Sequence, residues 1–113
     1  MLHIELQSLH QESPTPHTSK DNPSWVEWRA LDLYDQDLRQ KVADWFYVAA
    51  CSPKYLADND ATLTDHEKQL MVVTDQFSEP ELLDTARERF NALSFTDWDD
   101  FYAKMAKAFV HED

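Results

Sequence analysis

Glycine does not occur once in the 113 residues of this chain. Every backbone position must therefore suit an L-residue, or an Asn or Asp that tolerates positive φ. That disfavours Gly-rich phosphate loops, dinucleotide fingerprints and sheets closed by tight Gly turns. It favours helices joined by ordinary loops. Hydrophobic residues make up 42% of the chain and aromatics 12%, which is enough to build one core at ordinary domain size and argues against wholesale disorder.

Capping signals point the same way. Ser24 with Glu27, Thr64 with Glu67 and Ser78 with Glu81 have the spacing of capping boxes, and Thr96 with Asp99 is a looser version. Each precedes apolar residues at helical spacing. Trp28, Leu31, Leu38, Val42, Trp45 and Ala49 form a heptad-like stripe broken by Asp35, so two helical segments with a bend at 34–35 are expected, the second running over about 36–51 and ended by Pro53. A connecting loop is expected over 52–63. Leu70, Val73 and Phe77 follow Thr64, then Leu83 and Phe90, then Phe101 and Met105. The fold class expected is therefore all-α, a compact bundle of four to five helices with a short N-terminal arm. Residues 1–23 are read as the arm and a Pro-containing loop, and 24–113 as a single helical domain. Residues 1–11 fit either a strand, through Leu2, Ile4 and Leu6, or a helix face, through Leu2, Leu6 and Leu9. The expected core is Trp28, Leu31, Leu38, Val42, Trp45, Leu70, Val73, Phe77, Leu83, Phe90, Phe101 and Met105.

Charge narrows the function. Ten Lys and Arg stand against 22 Asp and Glu, for a formal net charge of −12. Such a chain repels phosphate backbones and anionic membrane surfaces, so direct nucleic-acid and membrane binding are not expected. It attracts basic partners. The N-terminus has no basic, apolar signal-like pattern, no stretch is apolar enough to span a membrane, and one cysteine, Cys51, gives no internal disulfide. A cytoplasmic protein is the expectation.

Residues of the types that carry chemistry lack the partners that chemistry requires. His3, His10 and His17 are seven apart, but Pro14 and Pro16 break any helix that would align them. His66-Glu67 has the start of a zinc-protease helix motif, yet position 70 is Leu where the second His belongs. Asp58-Asn59-Asp60 opens like a calcium loop, but Leu63 stands where the turn needs Gly, and Gln69 where a bidentate Glu is required. Cys51 sits where a helix C-terminus disfavours a thiolate. No metal and no cofactor are expected, and the chain is not read as an enzyme; a small enzyme using His66 and Glu67 is the weakest alternative.

Acidity is concentrated in residues 58–100, which hold twelve acids and three bases. Seven of those acids fall in the first turns of expected helices, where they have a local job. Asp58, Asp60, Asp75, Asp84 and Glu88 do not, and they are the candidate partner-binding acids. Trp25 and Trp28, close together on more than one helix face, are the candidate aromatic anchors. The leading expectation is a small inhibitor or regulator that binds another protein with a basic surface, for instance an anti-restriction or anti-CRISPR protein mimicking nucleic acid. The alternative is a toxin-immunity protein or a transcription-factor antiactivator that docks through aromatics. Either is compatible with a homodimer.

Overall fold

The computed structural model of the protein describes residues 1–11 and 24–111. It is a mixed α/β fold, with a six-stranded sheet and four helices among the described residues. The all-α bundle is therefore wrong. The strands are β1 (Ile4–His10), β2 (Val26–Asp35), β3 (Gln40–Lys41), β4 (Phe46–Cys51), β5 (Val72–Val73) and β6 (Val110–His111). The helices are α1 (Pro53–Asp58), α2 (Asp65–Leu70), α3 (Glu79–Asn91) and α4 (Trp98–Ala108). The sheet runs β1-β2-β4-β5, with β3 pairing β2 and β6 pairing β4. All neighbours are antiparallel except β4 and β5. The first eleven residues belong to the sheet, with Leu6 in the core, so they are not a detached arm. The Pro-containing segment 12–23, expected as a loop, lies outside the described residues.

The error over 24–51 has a physical cause. β2 and β4 are central strands covered along one face and, at the Cys51 end, on the other as well, so they carry apolar residues on both faces instead of a clean alternation. Leu31, Leu33, Phe46, Val48 and Ala50 face one side, against Leu82, Ala86 and Phe90 of α3 and Phe101 and Met105 of α4. Trp28, Ala49 and Cys51 face the other, against Met71, Tyr55 and Leu56. Residues three and four apart, such as Trp28 and Leu31, thus mimic a helix stripe while pointing to opposite faces. The wealth of Trp, Tyr, Val and Phe in this stretch is the strand signal that periodicity obscured. No helix starts at Ser24, and Pro53 begins a helix instead of ending one. It sits at the first turn of α1, where its missing N–H is harmless, and Ser52 is the N-cap, its Oγ accepting from the Tyr55 N–H at 3.1 Å and the Trp25 N–H at 3.0 Å.

A sheet without glycine is feasible because, among the described residues, it uses a single tight hairpin. It joins β2 to β3 through 36–39. Asp35, buried, accepts the Asp37 and Leu38 N–H groups on Oδ1 at 2.9 and 3.2 Å. Arg39, with φ of 52°, takes the left-handed position that glycine usually fills, and is the one positive-φ residue among those described. Asp35, the break in the expected helical stripe, thus accepts turn amides as a cap residue does at a helix start.

The later capping signals correspond to real helices. Thr64 and Glu67 form a complete capping box on α2. Ser78 accepts the Glu81 N–H on α3. On α4 the cap is Asp97, one residue later than expected, accepting the Asp100 N–H at 2.8 Å. Of the expected core, Leu31, Phe90, Phe101 and Met105 are buried, whereas Leu38, Val73 and Trp45 are exposed. Leu38 is on the hairpin turn and Val73 on an edge strand. Among the described residues no helix is long and apolar enough to cross a membrane.

Candidate partner-binding face

The sheet face opposite α3 and α4 is only half covered. At the Cys51 end, Tyr55, Leu56, Leu63 and Met71 close over it. At the other end, β1 contributes polar side chains because of a register shift. Leu6 pairs with Leu33, but a bulge at Gln7 makes Ser8 pair with Asp32, Leu9 with Leu31 and His10 with Ala30. Leu9 thereby stays on the core face, while Ser8 and His10 turn to the open one. Arg87 of α3 donates to the Gln7 carbonyl at 3.0 Å, which satisfies the bulged residue.

Asp32 is the centre of this end. Ser8 Oγ–H donates to its Oδ2 at 2.7 Å. His10 Nδ1 lies 2.6 Å from its Oδ1 without the geometry of a hydrogen bond. The Trp45 ring stands edge-on to His10, with centroids 5.1 Å apart and planes at 72°. Between β3 and β4, residues 42–45 leave the ladder, and the gap opens a cleft of about 440 Å³ lined by His10, Asp32, Lys41, Val42, Ala43 and Trp45, with Leu31 and Leu33 where the strands part. Trp45 is 43% exposed. Beside it Asp44 accepts the Tyr102 Oη–H of α4, and this bond, followed by burial and the Asp44 charge, pushes the phenol up to about 12.

This constellation is a poor catalyst. A nucleophilic serine needs a base on its hydroxyl, and here that proton points to a carboxylate that also meets the imidazole. His66 is exposed on α2, and the Glu67 carboxylate is occupied by the Thr64 N–H at 3.1 Å. Burial raises the Cys51 thiol, which keeps it unreactive. Among the described residues no group of three His, Cys, Asp or Glu is placed to hold a metal.

The candidate residues from the sequence are dispersed. Asp58 ends α1 and pairs with Lys54 at 3.2 Å, and Asp60 pairs with Lys68 at 2.9 Å. Asp75 is exposed after β5. Asp84 and Glu88 are exposed one turn apart on α3. Trp25 packs edge-on to Phe77 at 6.2 Å, and Trp28 packs on the Ala49–Cys51–Met71 cluster, so both are half-buried. Sequence reasoning missed Ser8, His10, Asp32 and Trp45 as a group. The available signal was Asp32 itself, a charge inside the apolar run Leu31–Tyr34, which has to find partners.

A family profile for immunity protein 8 (Imm8) matches residues 5–113. The chain belongs to the immunity protein 8 family. No curated protein and no solved structure matches it. As an Imm8 member the protein is a binding protein of the immunity type, acting on a partner protein and not as an enzyme.

Proposed function

We propose that this Imm8 protein neutralises a protein toxin by docking on it with the open half of the sheet face, anchored by Trp45, in the cytoplasm of the cell that makes both. The observation that carries the reading is the position of Trp45: a large aromatic, 43% exposed, beside a cleft that the fold leaves uncovered. Solvent-facing Trp next to a hollow is the kind of group that supplies binding energy at interfaces. The acids have a different role. Asp58 and Asp60 flank the helices on one face of the sheet, and Asp84 and Glu88 lie on a helix covering the other. That division favours a diffuse attractive field, with a net charge of −12, over a single phosphate-like array. It supports the toxin-immunity reading over nucleic-acid mimicry. Trp25 and Trp28 add to the aromatic surface but are tied into packing.

The test uses the cognate toxin with two variants. Trp45→Ala should speed dissociation and remove protection from the toxin, with about a hundred-fold loss of affinity. Neutralising Asp58, Asp60, Asp84 and Glu88 to Asn or Gln should instead slow association about ten-fold and flatten its salt dependence, with dissociation unchanged. Full protection by Trp45→Ala would refute the docking surface.

A further inference from the structure

We propose that the cleft between Asp32 and Trp45 receives an arginine side chain of the partner protein; this deepens the docking reading above and rests on it. A guanidinium is flat, always charged, and donates parallel N–H bonds. The cleft answers each property. Asp32 supplies the counter-charge, and its side chain is only 17% exposed, so its attraction for a cation is less screened than on open surface. Its carboxylate also has acceptor capacity left. Each oxygen has two acceptor sites; Ser8 uses one on Oδ2 and His10 stands against Oδ1, which leaves one on each oxygen for a forked donor. Trp45 lines the same hollow and is 43% exposed, which leaves indole surface for a planar cation to stack on.

Charge complementarity selects this occupant over others. The chain is strongly acidic, so a basic partner is the one it draws in. An aromatic side chain seated here would desolvate the Asp32 carboxylate without giving it a donor. An acidic one would be repelled by it. A lysine would neutralise the charge but could neither fork across both oxygens nor stack as a plane. Lys41 on the rim is a like charge to the proposed occupant and therefore opposes it. Removing it provides an opposite-signed test.

The experiment titrates the full, isotope-labelled chain with N-acetyl-arginine methylamide, with the lysine analogue and with the glutamate analogue, followed by NMR. Arginine amide should give saturable shifts at the Trp45 indole N–H and at the amides of His10, Asp32 and Ala43. It should bind about five-fold more tightly than lysine amide, and the glutamate analogue should give no saturable shift. Asp32→Asn should weaken arginine amide about ten-fold. Lys41→Ala should strengthen binding about two-fold. Equal binding of arginine and lysine, shifts away from the cleft, or unchanged binding in Asp32→Asn would overturn the inference. If that happens while Trp45→Ala still loses the toxin, only the arginine assignment falls. If Trp45→Ala retains the toxin, the docking reading falls and takes this inference with it.

Discussion

The two faces of the sheet are built from the same strands and do different things. On one face, Leu31, Leu33, Phe46 and Val48 meet two helices of 13 and 11 residues, whose buried residues recur every four positions: Leu82, Ala86 and Phe90, then Phe101 and Met105. On the other face, α1 and α2 have six residues each and bury none of their own completely. They cover one end and leave Ser8, His10, Asp32 and Trp45 at the other. Long amphipathic helices close a face. Short capped helices close part of one and leave room for polar groups to be held in position beside an aromatic. The bulge at Gln7 links the two, since it keeps Leu9 in the closed core while turning Ser8 and His10 outward.

The largest test of this comparison is on the closed face. Phe101 is fully buried and packs edge-on to Phe46 at 5.8 Å and Phe95 at 4.9 Å. Phe101→Ala should cost about 3–5 kcal/mol, read by urea denaturation, because it removes a large side chain and leaves a cavity between rigid elements. A loss near 1 kcal/mol would mean that α4 can collapse onto the sheet, and that the closed face is no better packed than the open one.

The hairpin that carries both faces to their common end gives the next largest effect. Asp35→Ala removes the acceptor for the Asp37 and Leu38 N–H groups at a buried position. The expected loss is about 1–2 kcal/mol, the usual range for a lost cap. Arg39→Gly should move stability the other way by several tenths of a kcal/mol or more, because φ of 52° suits glycine better than arginine. If both changes are neutral, the turn does not determine where 42–45 leaves the ladder.

How much of this was readable from the residues differs between the same regions. α2, α3 and α4 were legible because helix starts have local chemistry: Thr64, Ser78 and an acid at 97–100 bond to amides within three residues. The sheet was not legible because its evidence is non-local. Trp28 is opposite Ala49 and Leu31 opposite Leu9, pairings that no window of sequence contains. Absence of glycine does not exclude a sheet: among the described residues the 36–39 turn alone takes a positive φ, and Arg39 adopts it. The candidate site was hidden for a related reason. His10, Asp32 and Trp45 lie on three separate segments, and they meet only through a register set by a bulge. Spacing alone places Trp45 in the core, and the interruption over 42–45 brings it to the surface.

Trp45 is therefore the sharpest comparison with Phe101. Trp45→Ala should change stability by less than about 1 kcal/mol, since the indole is already 43% exposed and meets His10 in a single T-shaped ring contact. The same substitution is the one expected to remove toxin binding. Denaturation and toxin titration of one variant thus separate a packing role from a docking role. A loss of 3 kcal/mol would return Trp45 to the core and leave the open face without its anchor.

The smallest expected effect tests whether the faces are mechanically joined. Tyr102 on α4 donates to Asp44, the neighbour of Trp45, and so ties the closed face to the irregular segment of the open one. Its phenol is pushed up to about 12, first by that hydrogen bond, then by burial and the Asp44 charge. The unfolded chain loses the proton near the ordinary value of 10. Between about pH 10 and 12 the folded state therefore holds a proton that the unfolded state has released. Stability from this group is complete below pH 10 and falls as pH rises through that window. Tyr102→Phe should leave the urea midpoint nearly unchanged at neutral pH, because the pair is exposed, but should make its decline above pH 10 shallower. Tyr55 is also raised, by burial first and then by Cys51 and Glu67, so ultraviolet titration should lose one phenol from a late-titrating pair. If the variant and the parent decline in parallel, Tyr102 is not a link between the faces, and the position of Trp45 is set by the hairpin alone.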